Sequence, residues 1–205
     1  MALDTPGYGH SDRPATQPVI ADYADAVCAV LDAIGVPGAH LVGHHTGAVI
    51  AVEMAAGHPE RVASAVLSGP VYLDQPGRVA LRKHFAQWHV RADGTHMQEK
   101  WDKFSKWESN AALLHRLVMD IFLAGETSEF GHFAVADYMM EERLPLVRCP
   151  GLMLCGTRDP FADIEHLPKF LEAFRPGSSL SIDGGIFLPN QSPEAFAKAV
   201  LDFTA

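Results

Sequence analysis

The segment Leu41-Val42-Gly43-His44-His45-Thr46-Gly47-Ala48 restricts the fold of this chain more than any other. Ala39 to Val42 reads as a buried strand, and Thr46 to Gly57 reads as a helix of small and apolar residues. The strand therefore runs into a G-x-x-x-G turn that opens the helix. Such a turn needs glycines because the backbones around it approach closely, and its central residue is forced into a tight conformation. Here the central residue is His45, aimed at a helix N-terminus.

The rest of the chain repeats that strand-helix alternation. Asp22 to Ile34 places Val27, Val30, Leu31 and Ile34 on one helical stripe, and Gly35-Val36-Pro37-Gly38 ends it. Val62 to Leu67 is a second strand, closed by Gly69-Pro70. From about residue 71 to 147 strands disappear, charged and aromatic residues alternate at helical spacing, and all three tryptophans, Trp88, Trp101 and Trp107, occur. Gly151 to Gly156 resumes the sheet, followed by a helix over Ile164 to Phe174, a strand over Ser179 to Asp183 and a helix over Pro193 to Phe203. The pattern predicts an α/β core, residues 1–70 and 148–205, with a mostly parallel sheet flanked by helices, interrupted by a helical insertion over 71–147. At 205 residues and 48% hydrophobic content the chain can bury one substantial core.

Charge and cysteine usage narrow the function. A formal charge of −9, with no basic cluster to offset it, opposes phosphate contacts and excludes nucleic acid as an expected partner. Cys28, Cys149 and Cys155 lack CxxC or zinc-ligand spacing and read as reduced core thiols. No apolar run reaches the roughly 20 residues of a membrane span, and Met1-Ala2-Leu3-Asp4 lacks the character of a signal peptide. A soluble cytoplasmic protein without a cofactor is expected.

Several further segments, with the turn at His45, resemble the α/β-hydrolase superfamily. Asp4-Thr5-Pro6-Gly7-Tyr8-Gly9-His10-Ser11 is similar to its D-x-P-G-[FY]-G-x-S segment, and His58-Pro59-Glu60-Arg61-Val62 to its H-P-E-R-V link. Gly156-Thr157-Arg158-Asp159 resembles the G-x-x-D turn that carries the triad acid, and Pro193-Glu194-Ala195-Phe196 the start of the last helix. The resemblance implies the α/β-hydrolase fold without its first strands, a nucleophile elbow at Gly43, His44, His45, Thr46 and Gly47, and a helical cap over the site. It implies the cap-bearing branch that includes esterases, dehalogenases and epoxide hydrolases.

The chain departs from that family where the chemistry resides. His45 stands where the nucleophilic serine or aspartate is found. Ile186, in Asp183-Gly184-Gly185-Ile186-Phe187-Leu188, falls at the position of the catalytic histidine, and no histidine follows His166. The H-G loop that supplies half of an oxyanion hole has no counterpart, which leaves the Thr46 N–H. In serine proteases losing a triad member costs on the order of 10⁴ in turnover, so ordinary serine hydrolysis is not expected. At the positive end of a helix dipole a neutral imidazole is favoured, which makes His45 a candidate general base with Asp159 as its partner. The expected position of Asp159 does not guarantee that it reaches His45. His132 or His10 entering the space at Ile186 would restore a catalytic constellation.

A metal site is not expected. The eleven histidines lack ligand spacing, and adjacency should turn the His44 and His45 rings apart. Phe85, Trp88, Trp101, Phe104 and Trp107 fit either core packing between cap and sheet or the wall of an apolar pocket. By the family's strand order, a strand expected beside the elbow strand is missing. Either Met1 to Asp4 shifts to pair there, or a second copy covers the edge as a homodimer, or the native product is longer. Two functions follow. One is an atypical hydrolase of a small apolar ester, lactone or related carbonyl compound, with His45 as base. The other is a non-catalytic relative that binds a small apolar ligand or a partner protein.

Overall fold

The computed structural model describes residues 1–162, 167–174 and 177–205. Four parallel strands form one sheet in the order β1-β2-β3-β4: β1 Ala39–His44, β2 Val62–Ser68, β3 Gly151–Gly156 and β4 Gly177–Ile182. Every residue of β3 is buried, because both faces of the sheet are covered there. Met153 and Cys155 join the core beneath helices α1 (Ile20–Ala33) and α2 (Thr46–Gly57). Leu152 and Leu154 pack on the other face with Val66, Ile182 and Ala199, the last on the closing helix α10 (Pro193–Thr204). This two-residue alternation turns an unbroken apolar run into two cores, and each fully buried Val or Leu contributes roughly 1.5–3 kcal/mol.

Between β2 and β3 lie five α-helices, two short 3₁₀ turns and no strand: α3 Gln75–His84, α4 Thr95–Phe104, α5 Ala111–Ala124, α6 Phe130–Ala136 and α7 Met140–Arg143. Asp74 and Asn110 start α3 and α5 by accepting N–H bonds from Gly77 and from Ala112 and Leu113. After β3 come α8 (Leu167–Ala173) and, past β4, α9 (Leu188–Gln191).

The element boundaries differ from expectation for local reasons. Helix α1 starts at Ile20 because Asp22 accepts the Val19 N–H at 2.8 Å from within the first turn, so Asp22 is not the first residue. Strand β1 runs on to His44, which pairs with Ser68, and β4 starts at Gly177, paired with Gly151. The expected helix from Ile164 is present from Leu167, and residues 163–166 lie outside the described residues.

Parallel pairing places the C-terminal ends of β1, β2 and β3 side by side. The His45 N–H donates to Ser68 O at 2.8 Å, and the Gly69 N–H to Leu154 O at 2.8 Å. Residues just beyond three strands are thereby gathered at one point, the usual location of a site in a parallel sheet. Strand β1 lies at the edge, and among the described residues it pairs only with β2. Met1 to Asp4 form no strand, so that way of completing the edge is overturned. A groove of about 300 Å³ runs there, lined by Met1, Leu3, Leu41, Val42 and Ile50 among others.

Candidate active site

His45 sits at φ 48° and ψ −112°, and among the described residues it is the only non-glycine with positive φ. Such a backbone stores on the order of 1–3 kcal/mol of strain and persists only where its surroundings enforce it. Gly43 provides part of that enforcement, since a Cβ there would lie 2.1 Å from the Gly47 carbonyl oxygen. Gly47 differs from expectation, because a Cβ on it would meet nothing within 4 Å. The close approach therefore requires the first glycine alone.

Although His45 precedes the first turn of α2, its side chain does not cap the helix. It reaches Asp159, with 2.7 Å between His45 Nε2 and Asp159 Oδ2. The contact that the sequence did not guarantee is made, from the turn that follows β3. The Asp159 side chain is 1% exposed, and its Oδ1 accepts the N–H groups of Phe161 at 2.9 Å and Ala162 at 3.3 Å. Burial works to raise this carboxyl, but the hydrogen bond and charge of His45 and those two N–H donors outweigh it. The group is held below the usual carboxylate range. An ionised Asp159 only accepts, so His45 Nε2 carries the hydrogen and Nδ1 is the basic nitrogen. Among the described residues Nδ1 has no hydrogen-bond partner. Gly69, with φ 55°, makes room for the pair: a Cβ there would fall 2.9 Å from both Asp159 Oδ2 and His45 Cδ2.

The two adjacent imidazoles do not point apart, their centroids being 4.5 Å from each other. His44 Nε2 lies 2.8 Å from Ile186 O and its Nδ1 2.9 Å from Ser68 Oγ. A carbonyl cannot donate, so Nε2 holds the hydrogen and the Ser68 hydroxyl donates to Nδ1. Burial, then the neighbouring His45, push His44 down to about 4. His44 is thus a neutral strut that fastens the Ile186 loop to the elbow, while the Ser68 hydroxyl is committed to it.

Above the elbow is a cavity of about 150 Å³, lined by His45, Thr46, Phe85, Phe104, His132 and Ile186 among others. Of the five cap aromatics, Phe85 and Phe104 line it and the three tryptophans do not. Trp88 donates to Ser128 Oγ at 2.9 Å, Trp107 packs edge-on against Phe161, and Trp101 lies half-buried on α4. Thr46 lines this cavity from the first turn of α2, and its N–H has no acceptor among the described residues. Ile186 contributes an apolar wall, 8% exposed, where a histidine would otherwise stand. His10 lies elsewhere, its N–H bonded to Asp4.

His132 enters the cavity from α6. Its ring stacks on Phe85 at 3.6 Å, and its Nδ1 lies 2.9 Å from Glu129 Oε2. The other Glu129 oxygen accepts from Lys100 Nζ at 2.6 Å, and Lys100 and Glu129 are 7% and 4% exposed. Burial opposes ionisation of Glu129, yet His132 and Lys100 together hold it down at about 2. Sequence reasoning missed Glu129, Lys100 and Gly69. The i,i+3 spacing of Glu129 and His132 was the one available signal. Among the described residues no group of three or more His, Cys, Asp or Glu side chains could hold a metal ion.

A parallel sheet between helices, a strained strand-to-helix turn carrying an imidazole, and an acid delivered by the next strand but one define the class. The chain is an α/β-hydrolase-fold protein. Residues 1–95 match the family model described as alpha/beta hydrolase fold. Among curated proteins it is 25% identical to the (E)-2-((N-methylformamido)methylene)succinate hydrolase of Acinetobacter baylyi, over 98% of this chain and 78% of that one. Among solved structures it resembles a hydrolase from Pseudomonas aeruginosa with a TM-score of 0.85 at 21% identity, covering 98% of this chain and 78% of the other. An enol-lactonase from Burkholderia xenovorans gives a TM-score of 0.78 at 21% identity over the same shares. No described helix is long and apolar enough to cross a membrane.

Proposed function

We propose that this protein hydrolyses a small ester, lactone or related carbonyl compound, with the His45–Asp159 pair activating water in place of a serine. The observation that carries this reading is the 2.7 Å contact between His45 Nε2 and the buried Asp159 carboxylate at the elbow apex, beneath an apolar cavity. His45 Nδ1 takes a proton from water, and the hydroxide adds to the substrate carbonyl carbon while the C=O pair moves onto oxygen. The Thr46 N–H, at the positive end of α2, donates to that oxygen. Collapse of the tetrahedral species expels the alcohol oxygen, which is protonated as it departs, and leaves the carboxylic acid, while His45 returns its proton to solvent. Residues 71–147 serve as the cap that shuts the cavity from solvent, and core residues 1–70 and 148–205 supply the pair. The hydrolase names of the relatives support the reaction class.

A positioned base contributes typically about 10²–10⁴-fold and one oxyanion donor about 10²–10³-fold, so turnover should fall short of a full serine triad. The test is a panel of p-nitrophenyl esters and small lactones on wild type and His45→Ala, alongside a serine-directed fluorophosphonate. Turnover that His45→Ala abolishes, without labelling of the wild type, is the expected result. Covalent labelling of a hydroxyl would sink the water-activation scheme. Ile186 on the cavity wall favours a second reading, a non-catalytic protein holding a small apolar ligand there. Ligand-induced thermal shift without any turnover is its signature.

A further inference from the structure

We infer that His132, oriented by Glu129, is a second acid–base group of this site and donates a proton to the departing oxygen of the substrate; this rests on the hydrolysis proposed above. The cavity floored by His45 and Thr46 has His132 in its wall, and no other described group there combines a ring nitrogen with a buried carboxylate partner except His45 itself. Two imidazoles, each hydrogen-bonded through one nitrogen to a buried carboxylate, thus share a space of about 150 Å³. The Glu129 carboxylate accepts from His132 Nδ1, which fixes the tautomer and leaves Nε2 as the working nitrogen. Phe85, stacked at 3.6 Å, fixes the plane of the ring.

The structural burden of Glu129 is carried by Lys100, which ties α4 to α6 through the other carboxylate oxygen. Fastening two helices needs no imidazole. Glu129 directs its remaining oxygen to one, and that imidazole borders both the His45 cavity and the adjoining cleft lined by Tyr8 and Thr46. The charged and titratable groups around the ring are Glu129, Lys100 on α4, His84 and Lys103 beside Phe85, Tyr8 and Asp4 in the adjoining cleft, and His44 and His45 across the cavity. Glu129 is the anion in direct contact with the ring, at 2.9 Å.

The proton balance then closes without a further reagent. His45 removes a proton from water as the carbon–oxygen bond forms. When the bond to the leaving oxygen breaks, the protonated His132 Nε2 gives that oxygen a proton, and solvent returns the proton from His45 to His132. Lactones and alkyl esters, whose alkoxides leave poorly without protonation, are the substrate class that gains from such a donor. Glu129 acts through His132 and is a positioning residue.

The experiment compares wild type with His132→Gln and Glu129→Gln on two acetate esters, p-nitrophenyl and ethyl. Nitrophenolate departs without protonation and ethoxide does not, so His132→Gln is expected to lose about 10²-fold on the ethyl ester and less than about threefold on the p-nitrophenyl ester. Glu129→Gln is expected to show the same asymmetry more weakly. Equal losses on both esters overturn the acid role. A second measurement does not depend on turnover or on the variants folding. Isopropyl methylphosphonate, an anionic mimic of the tetrahedral species, is titrated into wild type while the His132 ring nitrogens are followed by NMR. Movement of Nε2 is expected, and an unmoved Nε2 overturns the proposal. If wild type cleaves neither ester but the phosphonate moves Nε2, the hydrolysis reading fails and the His132 site stands.

Discussion

The backbone of His45 is held where β-substituted residues rarely sit, and three neighbours decide what its side chain can do. Asp159 takes the hydrogen of Nε2, Gly69 leaves space for the pair, and His44 fixes the loop opposite. Asp159→Asn preserves shape but no longer fixes the tautomer, and by analogy with triad variants should lower kcat by about 10³–10⁴, with little change in Tm. Gly69→Ala puts a methyl group into the His45–Asp159 contact at a positive-φ position. We expect loss of turnover together with destabilisation of more than about 1 kcal/mol, read by steady-state kinetics and chemical denaturation. His44 gives a pH signature. Its folded state favours the neutral ring, with the group near 4 against 6.5 when free, so the stabilisation is complete above pH 6.5 and is lost as pH falls toward 4. That difference corresponds to roughly 3 kcal/mol. Urea denaturation at pH 7 and pH 4.5 should show it, and His44→Asn should flatten that part of the profile.

At the scale of elements, α4 and α6 are joined by an ion pair that is almost completely buried. Removing one member of such a pair strands the other, whereas replacing both with apolar residues can be neutral. Lys100→Met is therefore expected to lower stability by about 3 kcal/mol, and Lys100→Met with Glu129→Leu to recover most of it. Thermal unfolding of the single and double variants distinguishes this from simple loss of packing, for which the two changes would add. Glu129 also has a pH consequence of the same sign as His44: its stabilisation is full above about pH 4.5 and disappears as pH falls toward 2.

For the whole molecule, the open feature is the edge at β1. Val42 is 48% exposed on a strand whose outer side has no ladder partner among the described residues, and such an edge recruits another strand. We expect a second copy to cover it. Light scattering across a concentration series should give a mass above the 22.2 kDa of one chain, and Val42→Lys should shift the population toward that single-chain mass. A wild type that stays at one chain at every concentration would count against edge pairing.

The fold was legible in the sequence because its signals are local. Gly43 before a helix, the apolar run at β3 and the Gly156–Asp159 turn each state their geometry within a few residues. The identity of the elbow residue as His45, and the absence of a histidine at Ile186, were equally plain. What the local pattern could not supply is distance across the chain. The His45–Asp159 contact joins residues 114 apart, and the link from His44 to the Ile186 carbonyl spans 142. Both depend on the register of β1, β2 and β3, which only packing fixes. Which cap aromatics meet the cavity was left open for the same reason: helical spacing names a face, but the docking of α3 to α6 on the sheet decides which faces reach it. Sequence alone determined the class of fold and the missing serine, through local backbone and periodicity constraints. Tertiary structure decided that His45 meets Asp159 and that the local His132–Glu129 pair borders the same cavity, because long-range packing sets which elements come together.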